Sequence, residues 1–201
     1  EKDLKIIANT PGAPLGSTRD KPDEKYCKEI LKILKTKKIS KFYYIGGNDS
    51  SESLRIISEY AKDTQYRLQC IHIPKTIDND LVCNDHTPGF GSAAKYVAQL
   101  FSGINYDVKS LPGVYLGIVM GRHAGFLTAS SALLKKEKGD GPNLIFIPES
   151  PFEMNTFFNQ IKSIFNKYGR CVIAISEGIQ DKNKKLISQK IIKTSEYDAY
   201  G

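Results

Sequence analysis

The sequence predicts an α/β protein with a mainly parallel sheet, and three observations support this. Five short apolar runs occur along the chain, each run ends in polar or glycine-rich residues, and helical stretches lie between the runs. The runs cover 42–45, 68–73, 114–120, 144–147 and 171–175. Strands that alternate with helices predict βαβ units, because parallel neighbours in a sheet need a crossover connection.

The stretches between the runs have helical periodicity. Positions 27, 30, 31 and 34 are apolar and have the i, i+3, i+4, i+7 spacing of one helix face. A second helix is predicted through Leu54, Ile57 and Ala61, and a third over residues 92–103. The apolar segment Leu4 to Ala8 resembles a further strand.

Composition favours a cytoplasmic enzyme with one sizeable core. No apolar run reaches membrane-spanning length, and the amino terminus lacks a signal-peptide pattern. Four cysteines without a C-x-x-C pair predict reduced, buried thiols. The net charge is +7, but lysines concentrate mainly in 182–193, which is typical of a solvated loop. We therefore expect no nucleic-acid partner and no membrane partner.

The segment Pro74–Asp80 is the most informative motif. Pro74 follows an apolar run and has no N–H to extend a ladder, so the chain is expected to turn there. In an open α/β sheet, ligands bind at such a turn, which here carries Lys75, Asp78 and Asp80. The segment fits a phosphoryl-transfer centre, although Asp-Asn-Asp is also ordinary turn chemistry.

Glycine-rich or charged turns follow three other runs. Gly46–Ser50 joins a strand to a helix, which is the plan of an anion cradle with helix N–H groups facing the ligand. Met120–Arg122 and Ser176–Gly178 end two later strands. The pattern G-x-G-x-x-A at 89–94 has no strand directly before it, so a dinucleotide site is not favoured.

In order and approximate spacing, these four motifs resemble those of the phosphofructokinase family. The resemblance covers nearly the whole chain. It implies a phosphofructokinase-like three-layer sandwich and a phosphotransferase that acts on fructose 6-phosphate, with Mg²⁺ as cofactor. It also implies a homo-oligomer, either a dimer or a tetramer, in the full-length protein.

The resemblance assigns roles residue by residue. Asp78 would be the general base that takes the proton of the sugar 1-hydroxyl, and Arg122 would stabilise the transferring phosphoryl group. The implied catalytic set is Asp78, Lys75, Asp49 and Arg122. The implied substrate contacts are Thr76, Ile77, Asp78, Asp80, Met120, Gly121, Arg122 and Glu177. Donor phosphate would contact Arg19, Gly46 and Gly47, and the metal would contact Asn48, Asp49 or Asp80.

Two positions favour pyrophosphate over ATP as phosphoryl donor. Relatives that use ATP carry glycine at the positions of Asp49 and Lys75, whereas the pyrophosphate-dependent branch carries the acid and the lysine. A carboxylate at Asp49 would repel the α-phosphate of ATP, and like charges in a poorly solvated crevice cost several kcal/mol. Lys75 would supply a cation beside the leaving phosphate. Asn48 departs from the family pattern, which has a metal-holding aspartate there.

Two alternatives stay open at this point. One is an ATP-dependent or NAD-kinase-like relative, and the other is a non-catalytic phosphate-binding subunit. Because the glycine-rich loop expected before Leu4 and a later stretch of substrate residues are both missing, residues 1–201 are expected to be a fragment of a phosphofructokinase catalytic region.

Overall fold

The computed structural model describes residues 2–14 and 16–191 and confirms the α/β class. Helices alternate with strands from α2 onward. The elements are α1 (Lys2–Asn9), α2 (Glu24–Thr36), β1 (Lys41–Gly46), α3 (Asn48–Asp63), β2 (Gln69–Pro74), α4 (Phe90–Ser110), β3 (Gly113–Val119), α5 (Phe126–Ser130), β4 (Leu144–Phe146), α6 (Met154–Tyr168), β5 (Arg170–Ser176) and α7 (Ile187–Ile191).

All five predicted strands form, with ends that differ by at most one residue. Pro74 is the last residue of β2 rather than the first residue after it. The strand prediction for Leu4 to Ala8 is wrong, because this segment lies inside helix α1. None of the described strands pairs with it, and a helix satisfies its backbone hydrogen bonds within the segment itself.

The chain divides into two compact units. The first comprises the described residues up to Ile45 together with Asp49–Ile73, and the second comprises Gly46–Asn48 together with the described residues from Pro74 onward. The boundaries between the units fall near the ends of β1 and β2. The sequence shows no change in composition at these boundaries.

The first unit contains helices around the two-stranded sheet of β1 and β2. Its core joins Leu31 and Leu34 of α2 to Ala61 of α3, as the helical spacing predicts. Gln69 N–H donates to Ser40 O at 2.8 Å, and six residues later on both strands Lys75 N–H donates to Gly46 O at 2.9 Å. The strands therefore run parallel.

The second unit is built on a three-stranded parallel sheet of order β3-β5-β4. Its central strand, β5, is buried on both faces. Val172 and Ala174 belong to the core cluster that contains residues of α4 and α5, whereas Ile175 packs with Phe152 and Phe157 on the other side. Alternate residues of β5 thus face opposite helix layers, which confirms the predicted three-layer arrangement.

Parallel pairing places the carboxyl ends of β3, β4 and β5 at one edge of this sheet. The turn beginning at Met120, the segment ending at Glu149, and Glu177 all follow these ends. Among the described helices, none has the length and apolar character needed to cross a membrane. Cys27 and Cys171 are buried and Cys70 is half-buried, but Cys83 is exposed, so the prediction of four buried thiols is wrong at Cys83 and holds only in part at Cys70.

Candidate active site

The acid loop, Lys75–Asp80, leaves the end of β2 and contacts the glycine turn after β1. Gly47 lies so close that a Cβ added to it would be 3.6 Å from Thr76 Cβ. The Thr76 hydroxyl accepts a hydrogen bond from Asp78 N–H at 3.2 Å. These contacts bring two predicted motifs, the glycine turn and the acid loop, side by side.

Asn79 fixes the shape of the acid loop from within. It is 6% exposed and adopts a left-handed backbone with φ of 56°, which asparagine tolerates better than most residues. Its Oδ1 accepts hydrogen bonds from Thr87 N–H at 2.9 Å and Thr87 Oγ1–H at 3.0 Å. The Thr87 hydroxyl also lies 2.7 Å from Thr76 O. These hydrogen bonds join Thr76 and Asn79 to Thr87, so that residues 80–86 form a closed loop between them.

Asp78 is a half-buried carboxylate with an unpartnered oxygen. Its Oδ1 is buried and has no hydrogen-bond partner in the described part of the chain. Burial raises the pKa of Asp78 above the ordinary aspartate value, and the negative charges of Asp80 and Glu177 raise it further. His123 and Arg122 act in the opposite direction. A raised pKa makes the carboxylate a stronger base, which suits a group that accepts a proton from a substrate.

Asp80 is paired with the residue that departs from the family pattern. Asn48 Nδ2–H donates to Asp80 Oδ2 at 2.6 Å. An aspartate at position 48 would place a second negative charge against Asp80. The amide therefore contributes a hydrogen bond where the family pattern would bring two carboxylates together.

The arginine loop, Met120–Gly125, follows β3 and depends on close backbone packing. Gly121 has φ of +134°, and a Cβ there would lie 2.4 Å from Ala124 O. A Cβ on Gly178 would lie 1.9 Å from Arg122 O, so the backbone of Arg122 rests directly on this glycine. Neither glycine can be replaced without moving the loop.

Side chains after two other strands hold the arginine loop. Glu177 Oε1 accepts a hydrogen bond from Gly121 N–H at 3.2 Å, and the Ser176 hydroxyl donates to Gly121 O. At the other end of the loop, Glu149 Oε1 accepts from Gly125 N–H at 2.8 Å. The arginine loop is thus fixed at both ends by groups distant in sequence.

The two loops line one open groove of about 260 Å³. Its lining includes Asn79 and Asp80 of the acid loop, and His123 and Ala124 of the arginine loop. The same unit thus brings together Asn48, Thr76, Asp78, Asp80, Arg122 and Glu177. The side chains of Met120 and Arg122 are exposed.

The structure describes several other predicted site residues but does not connect them to the residues of the acid and arginine loops. Asp49 lies in the first turn of α3, where a carboxylate also stabilises the helix dipole. It belongs to the first unit, as does Arg19, which lies in the irregular segment before α2. Lys75 is exposed. Their roles at the donor site stay predictions.

The sequence did not identify the residues that hold the loops. Thr87 and Glu149 lie 7 and 69 residues beyond Asp80, outside every recognised motif. Pro148-Glu149 ends an apolar run, which is a weak signal that it shares an edge with the other strand ends. Ser176 and Gly178 flank the predicted Glu177, but their contacts depend on packing that the sequence does not reveal.

Comparisons with known proteins identify the family and agree with this fold. The family model described as Phosphofructokinase matches residues 1–200. A Rhodospirillum rubrum pyrophosphate--fructose 6-phosphate 1-phosphotransferase is 59% identical over 198 residues, which are 98% of this chain and 49% of that protein. The Xanthomonas campestris protein of the same name is 38% identical, over 92% of this chain and 46% of its own length.

Solved structures give the same result. A pyrophosphate-dependent phosphofructokinase from Marinobacter aquaeolei superimposes with a TM-score of 0.77 at 35% identity, over 90% of this chain and 47% of that chain. This chain belongs to the phosphofructokinase family. It spans about half the length of the curated relatives it matches.

Proposed function

We propose that this chain is part of a pyrophosphate-dependent 6-phosphofructokinase, which interconverts fructose 6-phosphate and fructose 1,6-bisphosphate. The observation that carries the proposal is Asp78, whose buried Oδ1 has no partner and whose raised pKa suits a base. Its neighbours Asn79 and Asp80 line a groove with His123 and Ala124 of the arginine loop, and His123 and Arg122 interact electrostatically with Asp78. The names of the relatives support the same reaction.

In this proposal, Asp78 takes the proton of the sugar 1-hydroxyl while that oxygen attacks the terminal phosphorus of pyrophosphate. The bond between this phosphorus and the bridging oxygen breaks, and inorganic phosphate leaves. Arg122 neutralises charge on the transferring phosphoryl group, and Glu177 binds sugar hydroxyls. Thr76, Ile77, Asp80, Met120 and Gly121 complete the sugar contacts, and Arg19, Gly46 and Gly47 bind the donor.

Members of the family use a divalent metal, and we propose Mg²⁺ here. No group of three or more His, Cys, Asp or Glu side chains suited to a metal occurs in residues 2–14 and 16–191. The Asp80 carboxylate and the adjacent Asn48 amide nevertheless offer the hard oxygen ligands that Mg²⁺ prefers. Substrate phosphates would complete the ligand set and would have their charge neutralised by the ion.

The choice of donor is tested with Asp49. In the full-length protein, Asp49→Gly should raise kcat/KM with ATP and lower it with pyrophosphate, because a repulsion of a few kcal/mol corresponds to on the order of 10² in rate. Lys75→Gly should impair pyrophosphate use without admitting ATP. Steady-state kinetics of both variants with each donor, fructose 6-phosphate and Mg²⁺ would measure this.

The wild-type protein provides the first decision in that experiment. Activity with pyrophosphate and little with ATP would support the proposal, and the reverse preference would overturn it. If wild type prefers pyrophosphate but Asp49→Gly leaves kcat/KM unchanged with both donors, the proposed reaction stands and Asp49 does not select the donor.

A further inference from the structure

The anchor at the far end of the arginine loop has no role in the reaction outlined above. Glu149 follows β4, whereas the loop follows β3, and these strands form opposite edges of the three-stranded sheet. The contact between Glu149 Oε1 and Gly125 N–H therefore joins the segments that follow the two outer strands of this sheet.

The fit around this contact is tight. A Cβ on Gly125 would lie 2.5 Å from Ile147 Cβ and 2.8 Å from Glu149 Oε2. Gly125 also precedes the five-residue helix α5, and no side chain of its own caps that helix. Glu149 supplies an acceptor to the start of α5 from another strand, so one carboxylate fixes both the end of the loop and the entry to the helix.

We infer that Glu149 is a positioning residue for phosphoryl transfer, acting through the arginine loop on Arg122. Glu177 and Ser176 hold Gly121 at the first end of the loop, and Glu149 holds Gly125 at the second. Arg122 lies between these anchors, so without Glu149 the loop keeps its side-chain hydrogen bonds only at the Gly121 end. This inference rests on the proposed function, because it requires Arg122 to meet a phosphoryl group.

The expected effect is on turnover more than on stability. A loss of orientation in groups that support an active site costs about 10–100-fold. Glu149→Ala in the full-length protein should lower kcat with pyrophosphate about tenfold. Glu149→Gln should restore kcat to within about threefold of wild type, because its amide oxygen can accept the same N–H.

Glu153→Ala is a matched control. Glu153 is also a helix-capping carboxylate of this unit, and it accepts hydrogen bonds from Asn155 and Thr156 N–H at the start of α6. Its loss removes a helix cap and should lower Tm. Helix α6 carries none of the site residues, so kcat should stay within about twofold of wild type while Tm falls at least as much as in Glu149→Ala.

Hydrogen exchange provides a measurement that does not depend on activity. Amides 121–125 should exchange faster in Glu149→Ala than in wild type, and at the wild-type rate in Glu153→Ala. Unchanged exchange and unchanged kcat in Glu149→Ala would overturn the inference, as would an equal loss of kcat in Glu153→Ala. A wild-type protein without phosphotransferase activity would instead refute the proposed function. Faster exchange of amides 121–125 in Glu149→Ala would then show that Glu149 anchors the loop in a protein that does not catalyse this reaction.

Discussion

The acid loop and the arginine loop occupy equivalent places in the fold, since each follows the carboxyl end of a strand, but they are held in different ways. Asn79 within the acid loop and Thr87 shortly after it fix the loop with hydrogen bonds between uncharged groups. The arginine loop is held by carboxylates and a glycine that follow two other strands. The acid loop is thus held by residues within it or near it in sequence, whereas the arginine loop is held by residues that follow other strands of the sheet.

The difference follows from the charge that each loop presents. A carboxylate anchor beside Asp78 would add to the repulsion it already has from Asp80 and Glu177, so uncharged anchors suit the acid loop. The arginine loop carries a cation, which tolerates two carboxylates nearby. Each set of anchors thus matches the chemistry proposed for the loop it holds.

The largest effect is expected from removing the proposed base. Asp78→Asn keeps the size of the side chain but cannot accept the sugar proton, so kcat of the full-length enzyme should fall at least ~10²-fold. Binding of fructose 6-phosphate, followed by calorimetry, should change far less. Near wild-type kcat at saturating substrate would show that Asp78 is not the base.

The support of the acid loop should matter less than its base. Asn79→Ala removes the acceptor of two Thr87 hydrogen bonds and replaces a residue suited to φ of 56°. We expect kcat to fall about tenfold, and the unfolding free energy to fall by about 1–3 kcal/mol because buried donors lose their partner. Steady-state kinetics and urea unfolding would measure the two effects.

Two further variants sharpen that test, namely Asn79→Asp in the acid loop and, for comparison, Glu149→Ala at the anchor of the arginine loop. Asn79→Asp retains an oxygen acceptor for Thr87 but adds a charge beside Asp78, so it should recover stability more than activity. If Asn79→Ala reduces kcat no more than a surface substitution, the acid loop holds its shape without Asn79 and the comparison with Glu149 fails.

The same contrast explains which parts of the molecule the sequence predicts. Strand ends and the Pro74–Asp80 motif are local features, so apolar runs followed by charged turns were enough to predict that Asp78 follows β2 and Arg122 follows β3. The anchors of the arginine loop depend on strand order, which places β5 between β3 and β4 and brings Glu149 to Gly125. A single sequence carries no direct signal for that order. The error at Leu4 to Ala8 has a similar cause, because whether an apolar segment becomes a strand depends on a partner elsewhere.

The smallest expected effect concerns stability, and its sign distinguishes Asp78 from a structural aspartate. The native state binds the Asp78 proton more tightly than the unfolded chain, because its pKa is raised. Ionising Asp78 therefore costs the native state some stability. This cost is absent below the pKa of Asp78 in the unfolded chain, and it grows as pH rises through the native pKa. At neutral pH, Asp78→Asn should therefore raise Tm, because it removes a carboxylate whose ionised form is disfavoured in the native state.

Asp140 provides the opposite case within the same unit. It is 5% exposed, its Oδ1 lies 2.7 Å from Lys109 Nζ, and this ion pair lowers the pKa of its carboxyl. Its stabilisation is present at neutral pH and is lost as pH falls, so Asp140→Asn should lower Tm at pH 7. The gain from Asp78→Asn should shrink as pH falls through the raised pKa, because wild type then also holds a neutral carboxyl. Thermal unfolding from pH 4 to 8 would separate the two, and a lower Tm for Asp78→Asn at pH 7 would mean that the charge of Asp78 is stabilising.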